Sequence, residues 1–164
     1  MQTQPDTLRR PLASHRLDDV VFVACGLSCV TGLLHVQAAF DHVSEDALFA
    51  AFFVVVALGQ FAWAVLAYRN PSRRVLAFGA VANLLVAALW VLSRTRGVPL
   101  GPERWEPEAV GPPDVIATVD EVLIAICVAA SFHPRRVLTR VVLGAGVFAI
   151  TLACMTLLHA PHSH

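Results

Sequence analysis

Histidines and carboxylates within long apolar segments are the residues with the clearest chemical potential in this sequence. His35 and His42 lie seven residues apart, nearly two helical turns, so both imidazoles share one face of a helix. Glu121 follows Asp120 inside another apolar segment. Imidazole and carboxylate groups bind transition metals and exchange protons. The candidate metal ligands are His35, His42, Glu121 and His159.

The spacing of the two histidines does not by itself define a metal site. Seven residues separate the rings by about 10 Å along a helix, whereas a metal–ligand bond is about 2.1 Å. One ion would therefore need ligands from other helices. The alternatives are a histidine pair hydrogen-bonded inside a bundle and a proton site that includes a buried carboxylate. No hydrolase, nucleotide-binding or haem signature appears, so an enzyme is the least supported class.

Further charged and amide residues lie in or beside the other apolar segments. An ionised side chain in hydrocarbon costs about 2.5–3.5 kcal/mol on insertion scales, so each is expected to be paired, protonated or facing water. Arg94 and Arg96 are expected ion partners for Asp114, Asp120 or Glu121, and a proton or cation site is the alternative for Asp120 and Glu121. The residues expected in a polar pocket or in ion pairs are Arg94, Arg96, Asp114, Asp120, Glu121, Gln60 and Asn83.

The composition indicates that lipid is the solvent of this chain. Of its 164 residues, 57% are hydrophobic and 15% are charged, whereas soluble domains carry about 25% charged residues. This much apolar surface cannot be buried in one small core. The net charge of zero gives no basic surface for nucleic acid. Four cysteines lie inside apolar segments, where they are expected to act as small hydrophobic residues.

Five segments approach the roughly 20 apolar residues that a membrane-spanning helix requires. They predict an all-α membrane protein, a bundle of five transmembrane helices over residues 19–159. An extracytosolic loop at 94–113 is expected to form a structured cap, residues 1–18 are expected to form a tail, and residues 160–164 are a His-rich C-terminal tail. The expected spans are about 20–40, 47–68, 75–93, 115–132 and 137–158.

The arginines predict the orientation of the bundle. They concentrate in the N-terminal tail and in the second and fourth connections, while the first connection contains acids and no arginine. Cytoplasmic loops carry the excess of positive residues. We therefore expect a multi-pass protein of the bacterial plasma membrane with a cytosolic N-terminus and an extracytosolic C-terminus.

Three segments carry a resemblance: LLHVQAAFDH, WVLSRTRGVPLGP and EAVGPPDVIATVDE. With them the chain resembles a group of small multi-pass integral membrane proteins encoded in actinobacteria. The resemblance covers the first, third and fourth expected spans and the loop between the last two. It implies the membrane topology and no reaction.

The leading hypothesis is an outward-facing pocket of histidines and carboxylates that binds a transition-metal ion or a proton. A transition metal is the one cofactor that the sequence suggests. An alternative is a structural or accessory subunit of a larger membrane complex, and another is a transporter or channel formed by a homo-oligomer. The expected partners are the lipid bilayer and either further copies of the chain or a larger complex, with no nucleic acid.

Overall fold

Five long helices make up the fold in a computed structural model, which describes residues 12–44, 46–99, 105–133 and 136–159. All five are long and apolar enough to cross a membrane, so that part of the prediction is confirmed. Residues 1–11 of the expected N-terminal tail and the expected tail at 160–164 lie outside the described residues, whereas residues 12–18 are helical. The helices are α1 (Leu12–His42), α2 (Ala47–Arg69), α3 (Arg73–Thr95), α4 (Pro112–Phe132) and α5 (Arg136–His159).

Side chains just outside α2 and α3 fix where these helices begin. Asp46 precedes α2, and its carboxylate accepts a hydrogen bond from the Leu48 N–H at 2.7 Å. Ser72 does the same for α3, accepting from the Val75 N–H at 3.4 Å. Pro71 disfavours helical backbone in the residue before it, which ends α2. These caps satisfy N–H groups that a helix start leaves without partners.

Helices α1 and α4 form the centre of the bundle. α1 contacts α2, α4 and α5, and α4 contacts α1, α3 and α5. The Arg73 guanidinium lies 5.8 Å from the centre of the Phe132 ring, which places the start of α3 beside the end of α4. We call this side the Arg69 end. The opposite side, where α1 and α3 finish and α2 and α4 begin, is the His42 end.

The buried and exposed residues fit a bundle surrounded by hydrocarbon. Leu27, Ile124 and Cys127 are fully buried between the central helices. Large apolar side chains face outward on the peripheral helices, with Phe78 72% and Phe148 71% exposed. All four cysteines of the chain are free. Exposed phenylalanines would be unfavourable in water but are stable against lipid tails.

Two glycines allow close packing between helices. A Cβ atom at Gly79 would overlap the indole of Trp63, and one at Gly32 would lie 2.8 Å from Phe61 Cε1. The Trp63 Nε1–H donates a hydrogen bond to the Val75 carbonyl at 2.8 Å, holding the indole over α3. Small residues at membrane helix interfaces serve this purpose, because packing contacts drive helix association in lipid.

A chain of hydrogen bonds crosses three helices in the buried interior. The Ser28 hydroxyl of α1 donates to Gln60 Oε1 at 2.6 Å, and Gln60 Nε2 donates to Asn83 Oδ1 of α3 at 2.8 Å. Asn83 Nδ2 then donates to the Gly79 carbonyl at 2.8 Å. Gln60 and Asn83 therefore satisfy each other, as their similar depth suggests, and Ser28 extends the chain to α1.

Candidate functional site

A buried imidazole–carboxylate pair joins the two central helices. His35 Nε2 of α1 lies 3.0 Å from Glu121 Oε1 of α4, a hydrogen-bonding distance. His35 is 5% exposed and Glu121 is 1% exposed. The pair lies about 10 Å from the end of α1, since seven residues separate His35 from His42. A polar group buried without a hydrogen bond is unfavourable, so this contact helps to stabilise both side chains at this depth.

The second histidine is separated from this pair by a phenylalanine. The Phe53 ring of α2 stacks on His35 with a centroid distance of 5.9 Å and on His42 with a distance of 5.4 Å. These distances together match the rise of about 10 Å between the two histidines, so the phenyl ring fits between the imidazoles. The seven-residue spacing therefore forms an aromatic stack rather than a shared metal site.

Arg94, at the end of α3, binds two carboxylates at the His42 end. Its guanidinium donates to Asp114 Oδ2 at 2.8 Å and also to Glu108 Oε2. Its Cζ lies 5.9 Å from the centre of the Trp90 ring. Asp114 in turn accepts from the Gly111 N–H at 3.3 Å at the start of α4. The guanidinium thus connects α3, the loop before α4 and the first turn of α4.

The structure differs from the expected arginine pairing of Asp120 and Glu121. Arg94 is occupied by Asp114 and Glu108, while Glu121 pairs with His35. The reason is depth, because Asp120 and Glu121 lie about 10 Å further along α4 than Asp114. Arg96 is exposed and makes no ion pair within the described ranges.

Asp120 is the least compensated polar residue of the described chain. It is 0% exposed, and neither carboxyl oxygen has a hydrogen-bond partner among the described residues. Its neighbours one turn away, Ala117 and Ile124, pack in the apolar core. Asp120 thus points away from the His35–Glu121 pair, as the 100° rotation between successive helical residues requires.

The four candidate metal ligands do not form one described cluster. Among residues 12–44, 46–99, 105–133 and 136–159, no group of three or more His, Cys, Asp or Glu residues is placed to hold an ion. His35 and Glu121 come together, and Phe53 lies between His35 and His42. His159 ends α5, and its side chain lies outside the part of the chain that the structure describes.

The described parts of the loop between α3 and α4 fold back onto the end of α3. The Glu108 N–H donates to the Ser93 carbonyl at 3.2 Å, and the Trp105 N–H donates to the Val98 carbonyl at 3.0 Å. Gly97 has a φ of +71°, and a Cβ atom there would collide with the backbone of Trp105. Only glycine adopts this backbone conformation easily, so Gly97 sets the turn that brings Glu108 to Arg94.

A cavity of about 660 Å³ lies between α2 and α3 at the His42 end. The pair His35 and Glu121 lies at its inner side, and Arg94 lies at its outer side. Its walls are mostly apolar and include three phenylalanines of α2. The sequence reasoning missed this cavity, Glu108 and Phe53. The available signal was the phenylalanine cluster in the first turns of α2, which reads equally well as a lipid-facing surface.

Comparisons with protein-family models, with curated proteins and with solved structures find no match for this chain.

Proposed function

We propose that this chain is a multi-pass protein of the bacterial plasma membrane whose His35–Glu121 pair binds and releases a proton. The observation that carries the proposal is the 3.0 Å approach of His35 Nε2 to Glu121 Oε1 with both residues buried. Imidazole exchanges protons near physiological pH. A hydrogen-bonded imidazole and carboxylate provide two bases for one shared proton.

The distribution of charge supports an orientation in which this pair faces outward. Arg69, Arg73 and Arg74 lie at the Arg69 end, in or beside the connection between α2 and α3. The connection between α1 and α2, at the opposite end, has no arginine. By the positive-inside rule the Arg69 end is cytosolic. The cavity beside His35 then opens toward the extracytosolic half of the membrane.

A proton fits the geometry better than a transition-metal ion. Structural zinc sites use four protein ligands and catalytic zinc sites three, whereas His35 and Glu121 are the two candidate ligands that come together. Within the described ranges no third ligand completes the set. A shared proton requires only the two bases that are already in hydrogen-bond contact.

Magnetic resonance of the full-length protein in lipid bilayers tests the proposal. Samples labelled with ¹⁵N-histidine and ¹³C-glutamate are titrated between about pH 5 and 8, the range in which histidine exchanges protons. The two signals are assigned by their loss in His35→Gln and Glu121→Gln. We expect both signals to move in one transition with a common midpoint, because the groups share the proton. Arg96→Gln, a change at an exposed residue, is the matched control and should preserve that transition.

Two results would contradict the proposal. One is a pair of signals that stay constant throughout the titration or that move independently. The other is a metal ion, found at one per chain by metal analysis and lost in His35→Ala, which would make the pair a metal site. Co-purification of a stoichiometric partner protein together with constant signals would instead favour an accessory subunit.

A further inference from the structure

The cavity between α2 and α3 has the dimensions of a small-molecule site. Its volume of about 660 Å³ lies within the range of roughly 300–1,000 Å³ typical of such sites. Four helices and part of the loop before α4 contribute to its lining. The proton proposed for the His35–Glu121 pair needs none of this volume, so proton binding does not explain the cavity.

Most of the cavity wall is apolar and aromatic. α2 contributes Phe49, Phe52 and Phe53, and α3 contributes Trp90. The Trp90 Nε1–H is buried and has no hydrogen-bond partner among the described residues. Aromatic faces carry partial negative charge and attract cations as well as apolar groups. The wall therefore suits a guest with rings or alkyl chains.

The cavity is open between its two outer helices. α2 and α3 contact each other sparsely, and their hydrogen bonds lie toward the Arg69 end or near the middle. The lining residues Val55 and Leu92 are 68% and 41% exposed. In a bilayer this opening faces the lipid tails, so a guest dissolved in the membrane can enter from the side.

The ionisable residues of the lining carry an excess of negative charge. Among the described lining residues the carboxylates are Glu108, Asp114 and Glu121, and the arginine is Arg94. Glu121 is the deepest of the acids and is 1% exposed. In a site with low dielectric constant an uncompensated negative charge is unfavourable, and a positive guest removes that cost. An anionic guest would add to the repulsion.

We propose that this cavity binds a hydrophobic organic cation that enters from the lipid and places its charge beside Glu121. Its rings or alkyl groups contact Phe49, Phe52 and Phe53, and its positive charge takes the place of the proton on the His35–Glu121 pair. Binding leaves His35 neutral and Glu121 ionised, and the displaced proton passes to water at the His42 end. The exchange is one cation for one proton, and it rests on the proton-binding function proposed above.

The other ionisable groups around the pair are limited in number. Arg94, Glu108, Asp114 and His42 line the same cavity. Asp120 lies on the adjacent face of α4, outside the lining. α2 contributes no ionisable lining residue, and α5 contributes none among the described residues. Glu121 is therefore the acid of the lining that lies against His35, and Asp114 and Glu108 lie with Arg94 toward the His42 end.

Two probes of equal shape and opposite charge test the inference on the unmodified protein. Full-length protein in lipid nanodiscs is titrated with tetraphenylphosphonium and separately with tetraphenylborate, and binding is followed by calorimetry and by tryptophan fluorescence. We expect saturable binding of the phosphonium and at least about tenfold weaker binding of the borate, the factor that corresponds to one charged contact. Equal affinity for the two ions, or no binding of either, would overturn the inference.

The same titration in variants locates the charge. Glu121→Gln should weaken phosphonium binding by about tenfold or more, because a charged contact is lost. Asp120→Asn is the matched control, since it changes the neighbouring acid outside the lining, and it should leave the affinity unchanged. An equal loss in both variants would contradict a site at Glu121. If Glu121→Gln does not fold, the comparison of the two probes on the unmodified protein still decides.

The exchange of proton for cation gives a separate readout. In weakly buffered solution an indicator dye should report about one proton released per phosphonium bound at a pH below the joint midpoint of His35 and Glu121. The phosphonium affinity should rise with pH and become constant above that midpoint. If His35 and Glu121 titrate with a joint midpoint but the protein does not prefer the phosphonium, the cation site is wrong and the proton site stands. Selective phosphonium binding without proton release would show that no proton is exchanged for the cation. If the magnetic resonance signals of His35 and Glu121 also stay constant, the proposed proton-binding function is wrong as well.

Discussion

His35 Nε2 and Glu121 Oε1 meet 3.0 Å apart across the interface of α1 and α4, about two turns below the end of α1. Each group supplies the hydrogen bond that the other would lack in hydrocarbon. Asp120, the residue next to Glu121, is equally buried but has no described partner. The two adjacent acids should therefore differ in their contribution to stability.

Replacing the carboxyl group of Glu121 with an amide should destabilise the protein, whereas the same replacement at Asp120 should not. Glu121→Gln replaces a charge-assisted hydrogen bond with a neutral one, and the expected loss is about 1–2 kcal/mol. Asp120→Asn breaks no hydrogen bond with a described residue, so its free energy of unfolding should change by less than about 0.5 kcal/mol or increase. Denaturant titration in matched detergent micelles measures both. Equal losses of stability in the two variants would show that the hydrogen bond between Glu121 and His35 does not stabilise the protein.

Gly79 should tolerate no side chain, whereas Gly59 should tolerate one. A Cβ atom at Gly79 would overlap Trp63, and one at Gly59 meets nothing within 4 Å. Gly79→Ala should cost about 1–3 kcal/mol through overpacking. Gly59→Ala should be neutral or slightly stabilising, since alanine is the better helix former. Thermal unfolding of the two variants provides the comparison, and equal midpoints would argue against the close approach of α2 and α3.

Loss of Arg94 should release the loop before α4, whereas loss of Arg96 should not. Arg94→Gln removes the ion pairs to Asp114 and Glu108 and should cost about 1–2 kcal/mol, between the values for exposed and buried pairs. Hydrogen exchange of residues 105–111 should then accelerate. The matched variant Arg96→Gln changes an exposed arginine without a described ion pair. Unchanged exchange in Arg94→Gln would show that the guanidinium does not anchor the loop.

The proposed orientation predicts which connections face the outside of the cell. Glu106 and Asn70 are both exposed and lie at opposite ends of the bundle. In intact cells a membrane-impermeant maleimide should label Glu106→Cys, and it should label Asn70→Cys only after the membrane is opened. This follows from the arginines beside Asn70, which the positive-inside rule assigns to the cytosol. The reverse labelling pattern would show that the protein has the opposite orientation, with the cavity facing the cytosol.

The helices could be predicted from the sequence because each is an apolar segment close to the thickness of a bilayer. Segment length sets the number of spans, and the Asp46 cap and Pro71 mark the connections. The depth of His35 and Glu121 followed from the same segments, since the rise per residue is fixed. The contact between these two residues could not be predicted, because depth leaves the order and rotation of the helices undetermined.

The two buried acids also show that depth alone does not determine the partner of a residue. Adjacent residues of a helix point about 100° apart, so Asp120 and Glu121 face different neighbours despite their equal depth. The stacking of Phe53 on the two histidines could not be predicted for a related reason. A phenylalanine that stacks on His35 and His42 has the same sequence pattern as one that faces lipid. Only the packing of α2 against α1 distinguishes the two.

The joint titration of His35 and Glu121 in lipid bilayers determines whether the two groups share a proton. We expect the imidazole nitrogen and the side-chain carboxyl carbon to respond in one transition with one midpoint, and we expect the Glu121→Gln substitution to alter the imidazole response. Two separate transitions, or an imidazole response that is the same in Glu121→Gln as in the unmodified protein, would contradict it.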